Sequence, residues 1–183
     1  MAQPLYASSY REFLSLVVTH QWTKEKLALE AFIYAYQLCN QKLLKPLASL
    51  STDLEKIDGF IENFGDLASE LTGVCPIFNT GMDSGSLNLP LKQEAKKAYD
   101  LWISELSQFI DQAKQEGDFP KTISTAVTAN FIMVALEGAL GGARLSEQKD
   151  LLKQTKQELR LYIELKRHNA SIKKLSSVGS PKK

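Results

Sequence analysis

The segment Ile123–Leu140, ISTAVTANFIMVALEGAL, constrains the fold most tightly. It has helix length and is apolar nearly all round, so as part of the longer run Thr122–Ala143 it must be covered on most sides. Asn130 and Glu137 inside it fit a buried helix better than a membrane span. Such a helix needs partners. With 44% hydrophobic and 23% charged residues, 183 residues can supply one core, and wholesale disorder and collagen-like classes are excluded.

The partners read as helices. Glycine and proline cluster sharply, and between the clusters the apolar spacing is helical, with no period-two alternation to mark a strand. A first helix starts after the N-cap Thr23, carries Leu27, Ala31, Tyr34 and Leu38 on one face, and is stopped by Pro46. A second is expected from about Ser51 to Leu71. Gly73 then opens GVCPIFNTGMDSGSLNLP, which has no long periodic run. A third starts near Pro90, with Ala95, Trp102, Leu106 and Phe109 on one side, and ends at Gly117 and Pro120. The fourth is the apolar run, and a fifth is expected from Ser146 to about Leu165. The expected fold is all-α.

The charges nearly cancel, with 22 Lys+Arg against 21 Asp+Glu, but they are not evenly spread. Residues 166–183 hold six basic groups and no acid, which leaves 16 basic and 21 acidic groups, net −5, in residues 1–165. A body this acidic is not by itself a nucleic-acid surface. The Ser- and Lys-rich stretch after His168 reads as a disordered tail. No basic-then-apolar leader opens the chain, so a cytoplasmic protein with no membrane partner is expected.

Catalytic and metal chemistry have no visible home. Cys39 and Cys75 are far apart, and the two histidines, His20 and His168, lie in terminal segments, so neither a zinc site nor a nucleophile–histidine pair is expected. Gly81–Gly85 lacks the Lys-Ser/Thr of a phosphate loop and reads as a turn. Cys39 and Cys75 read as packing residues. No cofactor, metal or catalytic residue is expected, and the chain is not read as an enzyme. Glu137 is the exception to a bland core, because a buried carboxylate must be paired or hydrogen-bonded. It is either a pocket or interface carboxylate, or it looks through a gap to solvent. Gly138, Ala139, Gly141, Gly142 and Ala143 allow close helix approach, either within the subunit or at a subunit seam.

Three stretches, TKEKLALEAF, GVCPIFNTGMDSGSLNLPLKQEAKKAYDLWISELSQFI and FIMVALEGALGGARL, resemble in sequence order the regulatory half of tetracycline-repressor (TetR) family transcription factors. The matching motifs are Thr23-Lys24-Glu25-Lys26-Leu27, Gly73-Val74-Cys75-Pro76-Ile77-Phe78-Asn79-Thr80, and Leu136-Glu137-Gly138-Ala139; Val74 is an insertion within the family's Gly-Cys-Pro. The resemblance spans about Thr23 to Leu165. It implies a TetR-like all-α C-terminal domain that binds a small apolar or amphipathic effector and forms a homodimer through a two-helix seam from each subunit. The expected effector cavity lies between the central helix and the dimer-forming pair, approached by Phe78, Asn79, Trp102 and Glu137.

The resemblance also implies a helix-turn-helix and a DNA operator for an intact family member, but DNA-binding residues cannot be named in this chain. Residues 1–22 contain one basic residue, Arg11, and are too few for three helices. Arg11–Val17 can be encoded by AGG GAG TTT CTA TCA CTG GTT. Shifted by one base, that string reads Gly-Ser-Phe-Tyr-His-Trp, the family's recognition-helix signature. The expectation is a remnant or replaced DNA-binding segment at 1–22, an effector and dimerisation domain at 23–165 and a basic tail at 166–183. A short N-terminal helix packed on the bundle is the alternative for the first segment. The expected function is a TetR-type repressor with impaired DNA binding; the alternative is a DNA-independent ligand-binding or interaction protein.

Overall fold

A computed structural model describes residues 23–70, 75–84 and 88–178. The expectations for Arg11, His20 and the rest of residues 1–22 lie outside the described residues, as do Gly73, Val74, Gly85 and residues 179–183. Six α-helices follow one another with no strand among the described residues: α1 Lys24–Leu43, α2 Asp53–Glu70, α3 Pro76–Asp83, α4 Leu89–Glu116, α5 Thr125–Ser146 and α6 Leu151–Val178. A 3-10 turn, Lys45–Ser49, joins α1 to α2.

Local chemistry sets most of the boundaries. Thr23 Oγ1 accepts from Lys26 N–H at 3.3 Å and caps α1. A reciprocal capping box opens α2: Thr52 Oγ1 accepts from Glu55 N–H at 3.2 Å, and Glu55 Oε2 accepts from Thr52 N–H at 2.9 Å. Asn88 caps α4, and Gly117 ends it in the left-handed region at φ 91°.

Three boundaries differ from expectation. The Gly-rich segment after Gly73 contains the eight-residue α3, too short for a periodic signal. Ser146 closes α5 rather than opening the last helix, and Glu147 turns the chain at φ 58°, so α6 starts at Leu151. That last helix continues past Leu165 to Val178, because no glycine or proline interrupts the chain until Gly179.

The central helix α4 packs against α1, α2, α3 and α5, and α5 lies against α6. Phe60, Ile61, Trp102, Leu106, Ile110, Ile132, Met133 and Leu136 are fully enclosed and form the middle of the core. Two links fix the outer helices. Trp102 Nε1 donates to Asn40 Oδ1 at 2.6 Å, tying α4 to α1. Lys156 and Arg160 on α6 reach back to α2, with Lys156 Nζ 2.6 Å from Glu62 and Arg160 2.5 Å from both Asp58 and Glu62.

Candidate functional site

The site starts at the cap of α3. Pro76 suits the first helical position and keeps Cys75 extended, at φ −78°, ψ 113°. Cys75 Sγ accepts from Phe78 N–H at 3.5 Å, so a thiol occupies the capping place that Ser, Thr, Asp or Asn usually fills. The cap sits inside the protein. Cys75 is buried, and its S–H donates to the carboxylate of Glu137 on α5.

Glu137 is only 6% exposed, and its Oε1 has no hydrogen-bond partner. Burial raises its pKa from 4.5 to about 7, and the bond from Cys75 only partly opposes that rise. Burial, and then the charge of Glu137, push the Cys75 thiol far above its ordinary value. Tyr99 on α4 is pushed up by burial first and by Glu137 next. Three elements thus bring Cys75, Tyr99 and Glu137 into one electrostatic node. Burial also holds the Cys39 thiol up at about 11, so both cysteines stay protonated near neutral pH.

Beside this node an apolar groove of about 370 Å³ runs between α3 and α4, within the size range of small-molecule sites. Ile77, Phe78 and Met82 form one wall, and Ala95 and Tyr99 the other, with Lys92 and Lys96 also lining it. The Phe78 and Tyr99 rings meet at 6.3 Å. A Cβ on Gly81 would lie 3.7 Å from that of Ala95, so the two helices come close there. A separate void of about 10 Å³, room for one water at most, is lined by Phe64, Cys75, Trp102 and Leu140 among others.

Phe78 and Trp102 therefore line different cavities. Trp102 is fully enclosed and meets Phe64 edge-on at 6.3 Å. Asn79 is half-buried on α3 and lines neither cavity. Glu137 belongs with Cys75 and Tyr99. Sequence reasoning misses Tyr99 altogether, and it misses the role of Cys75. The available signals were Cys-Pro at a helix start and two i, i+4 pairs, Ile77/Gly81 and Ala95/Tyr99, on consecutive helices.

A second feature is the outward face of α5, which the described residues leave partly uncovered. Val127, Phe131, Val134 and Leu145 are exposed there, with Gly138 and Gly141 in the same row. A Cβ added at Gly138 or Gly141 would meet nothing within 4 Å, so no crossing among the described residues accounts for these two glycines. Gly142 differs, since its Cβ would come within 3.0 Å of Leu151. Leu161 and Leu165 of α6 are exposed, and Phe131 packs on Tyr162 at 4.7 Å. By length and composition alone α5 could cross a membrane. Its inward face, however, is packed in the core around Ile132, Met133 and Leu136.

The described residues thus form an all-α domain built on a long central helix, with an apolar groove beside a short helix. Residues 54–159 match the family described as "Tetracyclin repressor-like, C-terminal domain", more than half the chain, and the chain belongs to that family. The fold is similar to that in the crystal structure of a TetR transcriptional regulator from Chloroflexus aurantiacus J-10-FL, with TM-score 0.74 and 28% identity over 80% of this chain and 75% of that one. No curated protein matches the sequence.

Proposed function

We propose that the chain is the effector-binding and dimerising part of a cytoplasmic transcriptional repressor that acts without catalysis. The observation that carries this reading, within a TetR-family domain, is the uncovered row Val127, Phe131, Val134, Gly138, Gly141 and Leu145 on α5, flanked by Leu161 and Leu165 of α6. Its steps of three and four residues follow one helix face. Paired with the same face of a second copy, it would bury on the order of 2,000 Å², as stable homodimers do. The domain proper is residues 23–165, with a basic segment after it.

The effector is a small apolar or amphipathic molecule held in the α3–α4 groove by Phe78 and Tyr99. Trp102 and Asn79 support the site from neighbouring positions rather than from the groove walls. Displacing α3 disturbs its Cys75 cap and hence Glu137 on the dimer-forming helix α5. Effector binding is thereby linked to subunit spacing as a population shift.

Sedimentation at micromolar concentration tests the assembly: a dimer is expected, and Val134→Asp should leave a folded monomer. A wild-type monomer at that concentration would remove the reading. One observation favours a second reading, a ligand-binding or interaction protein that acts without DNA: residues 1–165 carry a net charge of −5. An operator-binding assay over a range of salt separates the two.

A further inference from the structure

We propose that the effector carries a protonated amine on an apolar body, the body lying in the α3–α4 groove and the amine reaching Glu137. This rests on the groove being the effector site. Glu137 Oε1 is buried with no donor, and a buried acceptor left unmet is costly, so the node lacks a hydrogen-bond donor that the described residues do not supply. Tyr99 forms part of the groove wall and also feels the charges of Glu137 and Cys75, which places the node behind that wall.

The short helix α3 joins the two places. Ile77, Phe78 and Met82 line the groove, while the Cys75 cap at its start holds the Glu137 carboxylate. The head group enters by a small swing of the eight-residue α3, the same displacement that reaches Glu137 through the Cys75 cap. A carboxylate head would bring like charge to Glu137. An alcohol would donate a hydrogen bond but carry no charge, whereas a protonated amine supplies both. Lys92 lines the same groove, so an amine pointing outward would meet like charge there, while the Lys96 charge is paired with Asp100. The head-inward orientation separates the charges correctly.

The test titrates n-octylamine, n-octanol and octanoate into the full 183-residue chain and its Glu137→Gln and Phe78→Ala variants by calorimetry at pH 8. Octylamine should bind about tenfold more tightly than octanol, as a charge-assisted bond requires, and octanoate should bind most weakly. Glu137→Gln should erase the amine preference and leave octanol unchanged, while Phe78→Ala should weaken all three. In the wild type, octylamine affinity should also rise from pH 6 to pH 8 as Glu137 ionises around 7, since the amine and the neighbouring Cys75 and Tyr99 stay protonated there. This arm does not depend on the folding of any variant.

Equal binding of amine and alcohol, an amine preference that survives Glu137→Gln, a flat pH profile, or octanoate binding best would overturn the amine assignment and leave the groove standing. No binding by any probe, or indifference to Phe78→Ala, would overturn the groove itself and the inference with it.

Discussion

At the scale of single residues, Glu137 is the group whose chemistry departs most from that of an ordinary core. Its carboxyl has a pKa of about 7 in the folded chain against an ordinary glutamate value of 4.5, so the folded state holds its proton more tightly. Between those values the native chain binds more protons than the unfolded chain, and stability falls as pH rises. The stabilisation is present in full below about 4.5 and lost as pH passes 7, and its size is on the order of 3 kcal/mol. Glu137→Gln, which stays neutral, should flatten this dependence and be the more stable protein at pH 8. Urea midpoints at pH 5.5 and 8 for both proteins measure it; parallel pH dependences would show that folding leaves the Glu137 pKa at its ordinary value. That Glu137 departs from its apolar surroundings is legible in FIMVALEGALGGA, but the sequence leaves burial and a gap to solvent both open, and the structure buries it. Its partner is not legible, since nothing in the spacing of Cys75 and Glu137 brings a helix cap on α3 against the middle of α5.

At the scale of elements, what could be read follows from length. The four long helices with 3.6-residue periodicity that open after Thr23 or Thr52, or run from Asn88 and Ser124, lie close to their expected places, because each has a cap and an apolar face. The eight-residue α3 escapes because two turns offer too few apolar repeats, and Gly81 and Met82 read as a turn until α4 is set beside them. The apolar run shows the opposite failing. Its composition implies cover on most sides, yet the described residues leave one face open, the face on which the proposed dimer rests. Gly138 and Gly141 discriminate sharply here, because a Cβ at either position meets nothing within 4 Å among the described residues. Alanine at Gly138 should raise the stability of the isolated subunit by about 1 kcal/mol through helix propensity alone. Leucine there should keep the fold but weaken the dimer by at least about tenfold in dissociation constant, through lost close approach. Sedimentation equilibrium with thermal melts checks both signs; a Gly138→Leu dimer as tight as wild type would move the seam elsewhere.

At the scale of the whole molecule, charge decides what the chain can do with DNA. The body to residue 165 carries a net of −5, and the six basic groups that offset it are confined to residues 166–183. Dimerisation would place two acidic bodies together, which repels a phosphate backbone everywhere except near those basic segments. Reading a major groove needs a braced helix that presents side chains to base edges, with basic residues holding its register on the phosphates. Residues 1–22 offer Arg11 alone. The 183-residue polypeptide should therefore bind any duplex weakly and without preference. Each phosphate contact it makes should cost about 0.9 in the slope of log K against log salt, so attraction fades near physiological ionic strength. Fluorescence anisotropy with operator-derived and random duplexes over a salt series measures this. If the unaltered polypeptide prefers one duplex over random DNA by about a thousandfold, the low end for specific binders, then residues 1–22 read DNA after all.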